Sequence, residues 1–311
     1  MSLTNFPNGV TSFGIPLSGN VPTSVYGSNL FIDTERGSDG NRGISRDAAF
    51  ATMTKALSVV KTGDVIFITG DVREEVVASN LVFDVTIVGT GNNPHHPDLP
   101  AAGYRSGAAT WRPPVSPTAA TPLIKVRGRG WRFINILFDV PVDAAAIYLE
   151  RNALSGVSEF DASHASVIGC RFDAGLVGIE NAGGCGFVTV KDNLFRGMAG
   201  SGGAGIKCTS TAVAVPLAWR VEDNHFHNNA SHILSSMSYS TIKGNTFGRF
   251  TATLAVDLDD QPSANQGEYN VIWGNYLSGT YGATAYPPGS NNEWGGNFNS
   301  LSGGVTAADP V

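Results

Sequence analysis

Charge is scarce in this chain. Asp, Glu, Lys and Arg supply 15% of its 311 residues, well below the roughly 25% of an average soluble protein. That shortage argues against a helical bundle laced with surface ion pairs. The net charge is −6 and no run of Lys or Arg occurs, so the basic footprint of a nucleic-acid-binding protein is missing. No apolar stretch reaches the roughly 20 residues of a membrane span. The opening residues have no basic segment followed by an apolar one, so no Sec signal is expected. Cysteine is rare: Cys170, Cys185 and Cys208 are odd in number and lack metal-ligand spacing. They read as reduced, buried small residues of a chain folded in a reducing cytoplasm, with a Cys170–Cys185 bridge as the lesser alternative. A P-loop, a dinucleotide fingerprint, Gly-x-Ser-x-Gly and His-Glu-x-x-His are all missing. No cofactor and no metal are expected.

Glycine is plentiful, at 38 residues, and 42% of the chain is apolar. That mix suits many short strands joined by frequent turns. It is organised as a repeat. "VKDNLF" (190–195), "VEDNHF" (221–226), "IKGNTF" (242–247) and "IWGNYL" (272–277) share one frame. Aligned on the last large residue, the anchors are Phe138, Phe172, Phe195, Phe226, Phe247 and Leu277, spaced 34, 23, 31, 21 and 30 apart. Five positions earlier stand Phe133, Val167, Val190, Val221, Ile242 and Ile272. Two positions earlier stand Ile136, Cys170, Asn193, Asn224, Asn245 and Asn275.

Units of this size stack, because one alone cannot bury its apolar face. The β-branched residues, Gly and Asn are poor helix material, and no leucine-rich frame is present. The unit therefore reads as strand, sharp bend, strand. Val or Ile points inward, Asn occupies the bend in a left-handed conformation, and Phe points inward on the next strand. Coils about 4.8 Å apart would pile Asn193, Asn224, Asn245 and Asn275 into an amide ladder. Phe172, Phe195, Phe226 and Phe247 would form an aromatic stack beside it.

On these residues the chain resembles right-handed parallel β-helices of the pectate-lyase-like type. The segment "NLFIDTERGSDGNRGISRDAAFATMTKAL" (29–57) is similar to the opening of many such proteins, and "GDVIFITGDVREEVV" (63–77) to their first coil. The expected fold class is all-β. Asp47 would cap a lid helix over 47–60, with Phe50, Met53, Leu57 and Val60 on one face.

Residues 1–28 carry Pro and Gly every few positions and cannot build a core. Phe6, Val10, Phe13, Ile15 and Leu17 give this stretch an adhesive character. "LTNFPNGVTSFGIP" resembles the opening of tailed-phage virion proteins. The resemblance implies an N-terminal docking arm, a location on the capsid or tail exterior, and the major capsid protein or another virion protein as partner. A homotrimer is implied by family inference. The β-helix is expected over 29–300, with a lateral loop at 89–122 and a tail at 301–311. The stretch from 278 onward, including "YPPGSNNEWGG", reads as loop or tail and not as another coil.

Candidate chemistry is thin. "LAVDLDD" (254–260) would place Asp257 and Asp259 on one outward face about 7 Å apart. Carboxyls at about 6.5–9.5 Å serve inverting glycoside hydrolysis; two solvated aspartates are the plainer reading. His225 and His227 flank inward Phe226 and, with His232, suggest a metal or acid–base site or a polar surface. His95 and His96 lie in the lateral loop. Trp131 and Trp219 sit seven residues before an anchor and read as core; Trp273 reads as outward. The sequence favours a non-enzymatic structural virion protein that decorates or cements a capsid. The alternative is a tailspike that binds or hydrolyses host surface glycan.

Overall fold

A computed structural model describes residues 27–91, 108–152, 160–209, 215–248, 267–278 and 291–299, with the backbone alone at residue 152, at the ends 277–278 and 299, and at the strand pieces 11–12, 15–16, 254–257 and 304–305. Among the described residues three long sheets run parallel to one axis. The first begins with Asn29–Asp33, Val65–Thr69 and Thr86–Gly89 and ends with Val271–Trp273 and Glu293–Gly295. The second runs from Asp71–Val72 through Arg171–Asp173 and His225–His227 to Phe298–Asn299, with Gly304–Val305 added antiparallel at its edge. The third runs from Val76–Val77 to Leu254–Asp257. Between Val65 and Asp257 each coil contributes one strand to each sheet in turn, so sequence neighbours lie in different sheets and the strands stacked along each sheet pair in parallel. This is a parallel β-helix.

Matching positions stack in columns. Phe133, Val167, Val190, Val221, Ile242 and Ile272 are direct partners across the first sheet. The anchors stack across the second: Phe138–Phe172, Phe172–Phe195, Phe195–Phe226 and Phe226–Phe247 have ring centroids 4.9, 4.7, 4.8 and 5.1 Å apart. A third column, Ile124, Ile147, Ile179, Ile206 and Ile233, lines the third sheet. These side chains are buried and form one continuous core.

The asparagines lie at the corner between the first and second sheets. The Asn224 Oδ1 accepts from the Asn193 N–H and Nδ2 at 3.0 and 2.9 Å. Its Nδ2 donates to the Val190 carbonyl at 2.8 Å and to the Asn245 Oδ1 at 3.0 Å. Asn245, Asn275 and Asn297 continue the pattern. Both amide groups of each interior Asn are thus satisfied, which is what burial of a polar side chain requires.

The bend differs from the expectation in one respect. The left-handed residue is not the Asn but the one before it: Asn135, Gly169, Asp192, Asp223, Gly244 and Gly274, at φ 56, 62, 55, 56, 67 and 64°. These are the three residue types that tolerate that conformation best. The preceding residue turns the chain, and the Asn is thereby aimed inward.

Three further expectations are corrected. Asp47 does not cap a helix over 47–60. A short 3-10 turn, Arg46–Ala48, is capped by Ser45, and the α-helix is Met53–Val59, capped by Thr52. Glu74 from the next coil accepts from the Met53 and Thr54 N–H groups, and Asp39 accepts from Ala51 and Thr52. Met53 and Ala56 are the buried helix residues, with Leu57 packed against the core. The stretch 89–122 is not wholly excursion. Thr110–Trp111 is a strand of the second sheet, and the Trp111 ring stacks 6.0 Å from Phe138 in the core. The stretch after 278 holds a further coil: Glu293–Gly295 pairs with Val271–Trp273, and Asn297 extends the ladder.

Candidate functional site

A second corner, before the first sheet, repeats the left-handed device with different residues. Three positions ahead of Val167, Val190, Val221, Ile242 and Ile272 stand His164, Phe187, Ala218, Tyr239 and Tyr269, at φ 62, 57, 55, 53 and 58°. Holding a non-Gly residue there costs about 1–2 kcal/mol. The other corner limits that cost by using Gly, Asp and Asn. This one accepts it at four ring-bearing residues. Backbone strain that buys nothing for packing points to function, and packing gains little: Phe187, Tyr239 and Tyr269 are 59%, 63% and 50% exposed. The rings stack in the open, His164 on Phe187 at 4.9 Å and Tyr239 on Tyr269 at 5.1 Å.

Beside this corner lies the outer face of the first sheet. Its nearer column is Ser166, Thr189, Arg220, Thr241 and Val271, and its farther column Ile168, Lys191, Glu222, Lys243 and Trp273. The Lys191 Nζ lies 3.5 Å from the Asp223 carboxylate. Trp273 is outward and half-exposed, and its ring lies flat over Gly295 and Gly296, where an added Cβ would meet it. Around the next corner Tyr276 stacks on Phe298 at 5.3 Å. Exposed rings next to hydroxyl, ammonium and guanidinium groups suit a ligand with apolar faces and polar edges.

The residues singled out from sequence are dispersed. Asn193, Asn224, Asn245, Asn275, Phe172, Phe195, Phe226 and Phe247 are interior and hold the coils together. The Asp257 backbone pairs with Leu234 at the end of the third sheet; its side chain, and all of Asp259, lie outside the described residues, as do Phe6, Val10, Phe13, Leu17, His95 and His96. The backbone of Ile15 pairs antiparallel with Ser12. His225 and His227 point outward, but His232 is wholly buried, 5.8 Å from the Phe226 ring and 5.6 Å from that of Phe247. The three do not converge, because the His232 ring turns into the core beside Phe226 and Phe247 while His225 and His227 flank Phe226 on the outer face. Burial and the nearby Arg196 push the His227 imidazole below its ordinary pKa. Among the described residues no group of three His, Cys, Asp or Glu is placed to hold a metal ion.

Sequence reasoning missed two features. One is the aromatic corner, whose signal was an aromatic three residues before Val190, Ile242 and Ile272. The other is a buried ion pair on the outer face of the second sheet. One guanidinium edge of Arg171 meets Asp173 in a bidentate pair, Nε to Oδ1 and Nη2 to Oδ2, each at 2.9 Å, and the Arg196 Nε lies 3.5 Å from the same carboxylate. "RFD", two charges flanking an anchor, was its signal.

No family profile matches the chain, and no curated protein matches it by sequence. Solved structures do. A pectin methylesterase from Aspergillus niger is 13% identical, with a TM-score of 0.53 over 90% of this chain and 88% of that one. A pectin methylesterase from carrot is also 13% identical, with a TM-score of 0.51 over 92% and 88%. At such identity the likeness speaks for fold alone: the chain has the pectate-lyase-like right-handed parallel β-helix.

Proposed function

We propose that the chain is a polysaccharide-binding, non-catalytic β-helix carried on the exterior of a tailed-phage virion. One observation carries the binding half: stacked rings held in strained corners at the solvent, next to a column of hydrogen-bonding side chains. The virion half is supported by the opening "LTNFPNGVTSFGIP", through which the protein would dock on the major capsid protein or another virion protein. The β-helix then decorates the particle as a rigid rod, as a homotrimer, and offers its aromatic corner to host surface glycan. That similarly folded solved proteins include pectin-acting ones is consistent with this reading.

The test is binding to an array of bacterial capsular and lipopolysaccharide glycans. The Tyr239→Ala, Tyr269→Ala double variant is expected to lose binding while melting like the parent. Release of reducing ends from a bound glycan, abolished by Asp257→Asn with Asp259→Asn, would replace this reading with that of a tailspike hydrolase. Deleting residues 2–22 tests docking separately; unchanged incorporation into particles would refute it.

A further inference from the structure

The aromatic column has a missing rung. Its five corners are tied to successive coils by backbone bonds: His164 N–H to Gly186 O at 2.9 Å, Phe187 to Leu217 at 2.7 Å, Ala218 to Ser238 at 3.0 Å and Tyr239 to Glu268 at 3.0 Å. The filled neighbours stack at 4.9 and 5.1 Å. Ala218 stands between Phe187 and Tyr239. Its backbone is bent like theirs, φ 55° against 57° and 53°, so only the side chain differs. Phe187 and Tyr239 are two coils apart, about 9.6 Å at one strand spacing per coil. A ring centred between them would lie about 4.8 Å from each, the same spacing as in the filled pairs.

The surroundings select the occupant. Exposed Leu217 adjoins the gap. Arg220, two residues beyond Ala218, is exposed, with Thr189 and Thr241 as its register partners. Aromatic and Arg side chains also mark protein–protein contacts, so a second copy is the competing occupant, and the one-ring width of the gap favours a flat sugar over it. A pyranose fits well: its C–H faces stack on rings and its edge hydroxyls take hydrogen bonds from Arg and Thr. We infer that the gap at Ala218 holds one sugar ring, sandwiched between Phe187 and Tyr239, with its hydroxyl edge toward Arg220. The ring lies parallel to the rungs, so the glycan crosses the β-helix along its strands and does not run along its axis. This rests on the glycan-binding reading above and specifies where and how the chain is held.

The gap can be filled from within. Ala218→Tyr supplies the missing ring in a backbone conformation that Tyr239 and Tyr269 already adopt, and Ala218→Gly leaves the gap open. On the same glycan array, Ala218→Tyr is expected to lose at least tenfold in affinity for the glycan the parent binds best. Ala218→Gly is expected to stay within about twofold. Phe187→Ala, which removes one wall, should also lose at least tenfold, and serves should Ala218→Tyr fold poorly. If Ala218→Tyr binds like the parent while Tyr239→Ala with Tyr269→Ala does not, the gap is refuted and glycan binding stands. If the parent binds no glycan, both fail. If Ala218→Tyr changes only the sedimentation coefficient, the occupant is a second copy and the inference is overturned.

Discussion

Replacing Asn224 by Ala removes an interior rung of the amide ladder and leaves its neighbours in place. The side chain makes four bonds: two accepted from Asn193 at 3.0 and 2.9 Å, one donated to Val190 O at 2.8 Å and one to Asn245 Oδ1 at 3.0 Å. After the change, the Asn193 backbone N–H and one Nδ2 proton face a methyl group in a site closed to water. Each buried donor left without an acceptor costs about 1–3 kcal/mol, so the loss should be roughly 2–6 kcal/mol. That is a large share of the 5–15 kcal/mol typical of a folded domain. The assay is urea unfolding by linear extrapolation, with the parent and Asn297→Ala alongside. Asn297 ends the described ladder and is slightly exposed, so water can replace part of what it supplies and its loss should be smaller. Asn224→Asp keeps the one oxygen that accepts both Asn193 bonds but turns its second oxygen toward the Val190 and Asn245 oxygens; it should be at least as damaging at neutral pH and recover in acid as it regains a proton. A loss below about 1 kcal/mol for Asn224→Ala would refute the idea that the ladder is dry and fully engaged.

Other consequences follow from the same geometry. Phe226→Ala, in the stack between Phe195 and Phe247, should cost about 3–5 kcal/mol in the same unfolding experiment. Gly274 has a left-handed backbone and nothing near where a Cβ would sit, so Gly274→Ala should cost only the conformational strain, about 1 kcal/mol, and Gly274→Asn less. Burial pushes the Cys170 and Cys185 thiols up to about 12 and also raises Cys208; a thiol reagent at pH 8 should label none in the native protein and all three in urea.

The columns were legible because they are periodic in side-chain type. Val or Ile and Phe at a fixed offset report an inward phase on both sides of a bend, whatever the loop lengths between. The left-handed residue was harder to place. Position −3 holds Asn135, Gly169, Asp192 and Gly274 at one corner, a mixture that shows no single letter, whereas the invariant-looking Asn one step on draws the eye. The coil at 293–299 escaped because Trp294 stands where Val or Ile does elsewhere, and the strand at Thr110–Trp111 because Gly and Pro surround it. Asp47 looked like a cap by its type, but Ala49 runs extended and Phe50 bridges to Ile32 and buries its ring before the helix starts, and Thr52 takes the cap. The aromatic corner was written plainly at Phe187, Tyr239 and Tyr269. It went unread because side chains at a bend have no inward or outward phase until the bend itself is located.

Coil register places every residue column, and a cross-link reads register directly. Glu222 and Lys243 are direct partners on adjacent coils, within the Cα separation of about 4.4–6.8 Å that a disulfide spans. Lys191 and Lys243 occupy the same column two coils apart, about 9.6 Å. Mild oxidation should close a disulfide in Glu222→Cys with Lys243→Cys and leave Lys191→Cys with Lys243→Cys open. Equal cross-linking of the two pairs, or of neither, would contradict the stacking on which every site described above is built.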